Sequence, residues 1–208
     1  MTARLRLCLA SANPDKVKEI RALLPGVKLL PRPARLGEVE ETGETLEENA
    51  RLKARAVVAA TRESAVADDT GLEVAALGGQ PGVRSARYAG EGATYADNVA
   101  RLLTALDGVA DRRARFRTVA MICFPDGSEL VAQGAVNGRI ATWPAGAGGF
   151  GYDPVFVPVG GGGRTFAEMT PDEKAELSHR GRAFRGLAVL LHLHQPDPEW
   201  PSAREGLG

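Results

Sequence analysis

An α/β fold on a mixed sheet is what this sequence predicts, and three observations predict it. Strand-like and helix-like apolar patterns alternate through the first half of the chain. Two strand-like runs then follow one another across Pro125-Asp126-Gly127-Ser128, a hairpin turn that makes them antiparallel. The helix-like runs open on recognisable caps. A purely parallel sheet would have no hairpin, so both strand directions are expected together.

Each element has its own signal. Leu5 to Ala10 reads as the first strand. It runs into Ser11-Ala12-Asn13-Pro14-Asp15-Lys16, where Asn13 is a good N-cap and Pro14 suits the first helical position. Val17, Ile20, Leu23 and Leu24 form one apolar stripe, and Pro25-Gly26 stops it. A second strand is expected over Val27 to Leu30. Thr45 with Glu48 resembles a capping box, so a helix should start near Leu46 and run to about Ala60. Ala65 to Ala67 reads as a short strand ending in Asp68-Asp69, with a turn at Thr70-Gly71. Gly78 to Gly82 reads as a loop. Thr94 and Asp97 cap a helix through Val99, Leu102, Leu103 and Leu106.

Arg115 to Phe124 and Glu129 to Asn137 are the hairpin strands, and Gly138 to Trp143 is expected to continue the sheet. A glycine-rich stretch, Ala145 to Tyr152, precedes a strand at Pro154 to Val157. Gly160 to Gly163 is expected to be a flexible loop. Thr170-Pro171-Asp172-Glu173 combines cap, proline and capping glutamate at a helix start. Ser178 restarts a helix whose apolar face carries Phe184, Leu187, Leu190 and Leu191. The residues after Gln195 are polar and proline-rich. The expectation is one folded unit over 1–195 and a disordered tail over 196–208.

Composition narrows the partners. Lysine plus arginine and aspartate plus glutamate both number 26, so no basic excess points to nucleic acid. No apolar run approaches the roughly 18 residues of a membrane span, and the N-terminus lacks a signal peptide's apolar core. Cys8 and Cys123 sit in apolar runs and read as buried inert thiols. A soluble cytoplasmic protein with no membrane or nucleic-acid partner is expected.

Four strings carry candidate chemistry. Lys16 stands in a first helical turn, where a cation is disfavoured, and a bound phosphate would remove the conflict. A surface lysine reaching water is the plainer alternative. Asp68-Asp69, with Glu41 as a candidate third carboxylate, would make a hard oxygen site suited to Mg²⁺. Successive strand side chains point to opposite faces, so the two aspartates need not act together. An Asx turn for the pair, and a solvated helix face for the glutamates around Glu41, are the alternatives. Gly148-Gly149-Phe150-Gly151-Tyr152-Asp153-Pro154 lets backbone approach a ligand and offers Phe150 and Tyr152 for stacking a base, although a tight turn with core aromatics also suits it. Ser178-His179-Arg180-Gly181, after the helix bearing Lys174, offers free N–H donors and a guanidinium fork to a purine carbonyl. His179 is equally compatible with a local capping role. The three histidines have no metal-ligand spacing, and there is no Walker-type phosphate loop.

Taken together, the strings resemble the inosine triphosphate pyrophosphatase, or Ham1-like, family. The matching runs are SANPDKVKE from Ser11, ETGETLEENARLKA from Glu41, ADDTGLEV from Ala67, GGQPGVRSARYAG from Gly78, GGFGYDPVF from Gly148 and EKAELSHRG from Glu173. They cover nearly the whole chain in the family's order. The resemblance implies a two-lobed α/β fold with a long mixed sheet flanked by helices, a substrate cleft between lobes, and a homodimer. It also implies Mg²⁺-dependent hydrolysis of inosine, deoxyinosine and xanthosine triphosphates between the α- and β-phosphates. By that resemblance Ser11, Ala12, Asn13, Pro14, Asp15 and Lys16 grip the phosphates, and Lys53 meets them. Asp69 is the general base and a metal ligand, assisted at the metal by Glu41 and Asp68. Thr70, Phe150, Gly151, Tyr152, Asp153, Lys174, His179 and Arg180 contact the nucleotide. Thr70 stands where a serine is common and Ala12 where a glycine is frequent. A Maf-like pyrophosphatase, a non-catalytic nucleotide sensor and an α/β scaffold with solvated charge runs are the rival readings.

Overall fold

The computed structural model describes residues 5–194. The expected tail over 196–208, with its boundary at 195, lies outside them.

Among the described residues seven strands form one mixed sheet. The first, β1 (Arg6–Leu9), pairs in parallel with β2 (Lys28–Leu30) and with β3 (Ala65–Val74). The helix α1 (Pro14–Leu23) makes the crossover from β1 to β2, and α2 (Leu46–Thr61) leads into β3. A two-residue strand, β4 (Pro81–Gly82), lies antiparallel to the far end of β3, inside the segment expected to be loop. After α3 (Tyr95–Ala105) come β5 (Arg113–Cys123) and β6 (Glu129–Ile140), the hairpin expected from the sequence. The sheet closes on β7 (Phe156–Pro158), in the order β2-β1-β3-β5-β6-β7. Two helices follow, α4 (Pro171–Leu177) and α5 (His179–His194).

The caps lie where the sequence places them. Asn13 Oδ1 accepts the Asp15 and Lys16 N–H groups, and complete capping boxes sit at Thr45/Glu48, Thr94/Asp97 and Thr170/Glu173. Gly138 to Trp143 continues the sheet only to Ile140.

One expectation fails instructively. Asp68-Asp69 does not end a short strand, and Thr70-Gly71 is not a turn. β5 pairs with every residue from Ala65 to Val74, so the ladder carries β3 straight through its polar centre.

Strand alternation then sorts the core. On one face of β3, Val66 joins a cluster with Leu7, Ile20, Ile122, Phe184 and Leu187, under α1 and α5. Further along that face, Leu72 and Val74 join a second cluster with Leu102, Phe116, Phe156 and Phe166. Between the two clusters stand Asp68, Thr70 and, from β5, Thr118. The other face packs Ala65, Ala67, Val119 and Met121 against α2.

Candidate active site

The site begins at a gap in the ladder. On β3, β1 reaches only Ala65 and Val66, and β4 reaches only Leu72 and Glu73. Between them the same edge of β3 has no strand neighbour, so residues 67–71 line an opening beyond the carboxyl end of β1. Open α/β sheets bind ligands in such crevices. The N-terminus of α1 faces the crevice, because the chain leaves β1 and caps within four residues, at Asn13.

The two aspartates look opposite ways. Asp68 lies on the α1/α5 face, with its Oδ2 3.5 Å from Lys16 Nζ and 3.2 Å from Arg180 Nη2. Asp69 lies on the α2 face, where Lys53 Nζ donates to its Oδ1 at 2.7 Å and to Glu41 Oε1 at 2.9 Å. Arg87 braces Glu41, donating to its backbone oxygen at 3.2 Å and lying 3.4 Å from its Oε2. Lys16 is therefore no solvated surface residue: the ammonium that fits its helix dipole poorly is drawn to Asp68.

These neighbours divide the titrations. Burial pushes the Asp68 carboxyl up, but Lys16, Arg180 and Lys53 outweigh it and hold the group well below the usual aspartate range. For Asp69 burial wins over Lys53 and Lys16, and the carboxyl titrates above that range. Burial also lowers Lys16, against the pull of Asp68. Lys53 is raised, because Asp69 and Glu41 outweigh its burial.

A second set of groups comes from the α4–α5 corner. Ser178 ends α4 and caps α5, its Oγ accepting the Gly181 N–H at 3.0 Å. A Cβ on Gly181 would stand 1.8 Å from Ala175 O, so the tight corner requires glycine there. The corner brings Lys174, His179 and Arg180 together. Glu19 of α1 joins them, accepting from Lys174 Nζ at 2.7 Å and from Arg180 Nη1 at 2.6 Å. Lys174 also donates to Asp153 Oδ2 at 2.5 Å. Asp68, Arg180, Glu19, Lys174 and Asp153 thus form a chain of alternating charges, the arrangement that makes buried ions tolerable. His179 stacks on Phe116 with centroids 4.4 Å apart, and burial beside Arg180 and Lys174 keeps its imidazole neutral.

Asn13, Lys16, Glu41, Asp69, Thr70, Phe150, Gly151, Tyr152, His179 and Arg180 all line one cleft. Other expected residues stand behind this wall. Asp68 and Lys53 reach the lining through their ion pairs, and Lys174 through its ammonium over the Phe150 ring. The Asp153 carboxylate is taken up by Lys174 and by the Phe150 N–H at 2.7 Å. Ser11, Ala12, Pro14 and Asp15 form the loop and first turn around Asn13. Tyr152 shows only its edge: it is 5% exposed and donates to Ser85 O at 2.9 Å. Six lining residues escaped sequence reasoning, Val83, Ser85, Ala86, Tyr95, Asn98 and Phe116. So did Glu19, although its place three residues after Lys16 on one helix face was a usable signal.

The sequence pattern of the Ham1 family matches residues 7–190. This chain belongs to the Ham1 family. A dITP/XTP pyrophosphatase of Elusimicrobium minutum is 46% identical over 90% of this chain and 100% of its own. A dITP/XTP pyrophosphatase of Methylococcus capsulatus is 50% identical over 90% and 96%. The solved structure of a HAM1 protein from Coxiella burnetii superposes with a TM-score of 0.83 at 40% identity, covering 91% of this chain and 99% of that one.

Ham1 membership implies a divalent cation, and the donor set in this Ham1 chain can be tested for it. Among the described residues no three His, Cys, Asp or Glu side chains form a ready-made cage. Asp68 Oδ1 and Asp69 Oδ2, however, are buried and accept no hydrogen bond. Each carboxylate thus keeps one hard oxygen free while its other oxygen is held by a cation. That fits an ion bound by one or two carboxylates together with substrate phosphates, the usual manner of Mg²⁺.

Proposed function

We propose that this protein hydrolyses non-canonical purine nucleoside triphosphates, the inosine, deoxyinosine and xanthosine types, to the monophosphate and pyrophosphate. One observation carries the reading. Two buried carboxylates, each with a free oxygen and its own cationic partner, flank a ladder gap beside a helix N-terminus. The names borne by the Elusimicrobium and Methylococcus relatives support the same substrate class.

In this reading the α1 N-terminus and Lys16 hold the phosphate chain. Lys53 and Lys174 stabilise charge on the departing pyrophosphate. Asp69, whose carboxyl titrates high for an aspartate, accepts the proton of the attacking water. The free oxygen of Asp69, with Glu41 beside it on Lys53, would hold Mg²⁺, and Asp68 on the opposite face would assist the metal site. An ion held there with the substrate would supply neutralisation of phosphate charge and orientation of the attack.

Selectivity rests on the purine six-position. Four hydrogen bonds from Arg180 already go to Asp68, Thr70 and Glu19, which fixes its fork at the cleft wall and leaves little of it for the base. Its remaining N–H and the backbone donors match a six-carbonyl and leave an adenine amino group unpaired. Such a mismatch costs about 1–3 kcal/mol, or roughly ten- to a hundredfold in affinity. Phe150 supplies a stacking face.

We also infer one two-lobed unit over 1–195, acting in the cytoplasm as a homodimer. The two free buried thiols, Cys8 and Cys123, suit a reducing compartment. No helix among the described residues is long and apolar enough to cross a membrane. Pyrophosphate release across a panel of nucleoside triphosphates, with and without Mg²⁺, tests the activity. Adenosine triphosphate turned over as fast as inosine triphosphate would refute the selectivity account, and sedimentation of the purified chain tests the dimer.

A further inference from the structure

We propose that Tyr95 is a substrate-positioning residue that closes, with Phe150, an aromatic clamp over the nucleoside. The inference rests on the nucleotide reading above and extends it to a residue of α3 that carries none of the charged machinery.

Tyr95 is the first residue of α3, yet the helix start does not need it. Thr94 and Asp97 make the capping box, and the helix buries Asn98, Val99 and Leu102. Tyr95 leaves 42% of its surface exposed, a large aromatic standing at the cleft wall without a packing duty. Its ring centroid is 5.9 Å from that of Phe150, tilted by 42°. Its hydroxyl accepts from Asn13 Nδ2 at 2.8 Å and donates to Asp15 Oδ2 at 3.3 Å. Asn13 is the residue whose other side-chain atom caps α1 at the phosphate end. Tyr95 therefore spans the distance from the phosphate-gripping loop to the base-stacking loop, the path a ribose must follow.

The sequence points to Phe150 and Tyr152 as the stacking pair, but Tyr152 is drawn into the core and anchored on Ser85. Phe116, another ring on the cleft, is covered by the His179 imidazole. Phe150 already carries Lys174 at 4.7 Å and Arg180 at 5.5 Å from its centroid. Tyr95 is thus the aromatic left beside Phe150 at the cleft wall, and the two rings rest in tilted contact until a base parts them. A planar base with an attached sugar is the ligand chemistry that two such rings recognise, and bare polyphosphate is not.

The test separates ring, hydroxyl and phosphate grip. Steady-state kinetics with inosine triphosphate are measured for wild type, Tyr95→Ala and Tyr95→Phe. The dissociation constant of an α,β-nonhydrolysable inosine triphosphate analogue and the inhibition constant of inorganic tripolyphosphate are measured alongside. Loss of one stacking face should raise KM and the analogue's Kd in Tyr95→Ala by about tenfold, well beyond any fall in kcat. Tyr95→Phe should recover most of that loss, and the tripolyphosphate constant should move less than about twofold, since no base is involved. An unchanged analogue Kd in Tyr95→Ala would overturn the clamp. So would a tripolyphosphate constant that rises in step, or a Tyr95→Phe defect as large as that of Tyr95→Ala. If Tyr95→Ala does not fold, Tyr95→Leu keeps apolar bulk without a π-face and is read in the same way. Wild type that binds the analogue but turns nothing over would sink the pyrophosphatase reading while leaving the clamp to be judged on Kd.

Discussion

At the scale of single residues, neighbouring carboxylates with the same intrinsic chemistry are driven apart. Asp68 meets Lys16 and Arg180, whereas Asp69 meets mainly Lys53 and stays partly desolvated without full compensation. Asp69→Asn should leave the fold intact and cut kcat at least about 100-fold, as expected for loss of a general base. In the wild-type enzyme, kcat/KM should fall on the acid side at a pH above the ordinary aspartate range, because Asp69 takes up its proton early. An acid limb at or below that range would remove Asp69 as the base. Asp68 works the other way. Its folded pKa is depressed, so its stabilisation is present above the unfolded value near 3.9 and is lost as pH falls toward the folded one. Asp68→Asn removes the ion-pair partner of Lys16 and leaves Arg180 with Glu19 alone. It should cost about 3–5 kcal/mol. A drop in Tm on the order of 6–20 °C by calorimetry near neutral pH follows.

At the scale of elements, the site depends on how closely α5 lies on the sheet. A Cβ on Gly134 of β6 would meet His179 O at 2.1 Å and Ala183 N at 2.5 Å. Gly134→Ala must therefore lift the first turn of α5, which carries His179 and Arg180. We expect a stability loss of about 1–3 kcal/mol by denaturant titration and a fall in kcat/KM together. Gly186, two turns along the same helix, is the contrast, since its nearest foreign atom would be Ala132 Cβ at 3.4 Å. Gly186→Ala should be neutral or stabilising by up to about 1 kcal/mol, because alanine is the better helix former. Equal damage from both variants would show that helix seating is not what positions Arg180.

Across the whole molecule, the cleft exists because one sheet face changes character partway along its strands. The apolar cluster under α5 and the one around Phe156 are separated by Asp68, Thr70 and Thr118. Each half can pack densely, and the polar band between them is satisfied by charges brought in from α1 and α5 and by the hydrogen bond between Thr70 and Thr118. Adding polyphosphate and Mg²⁺ together should tighten this band far more than either alone. A non-hydrolysable triphosphate with Mg²⁺ at about 100 times its Kd should add roughly 2.7 kcal/mol. Thermal melting should rise by about 5–11 °C, with little change for Mg²⁺ by itself. A full shift from Mg²⁺ alone would mean that the carboxylates hold a resident ion.

Much of the molecule is legible in the sequence. The caps at Asn13, Thr45, Thr94 and Thr170, the Pro125–Ser128 hairpin and the six ordered strings are local patterns. A cap works through atoms two or three residues away, so the chain itself carries the signal. The opposite facing of Asp68 and Asp69 was equally readable, since it needs only the two-residue period of a strand. What tertiary structure alone decided is everything set by partners distant in sequence. β3 runs through its polar centre because β5, about 50 residues later, supplies the ladder. Glu19 matters because α4 and α5 carry Lys174 and Arg180 to it from more than 150 residues away. Tyr152 lies in the core and Tyr95 at the opening because packing ranks side chains by available space, which no local pattern records.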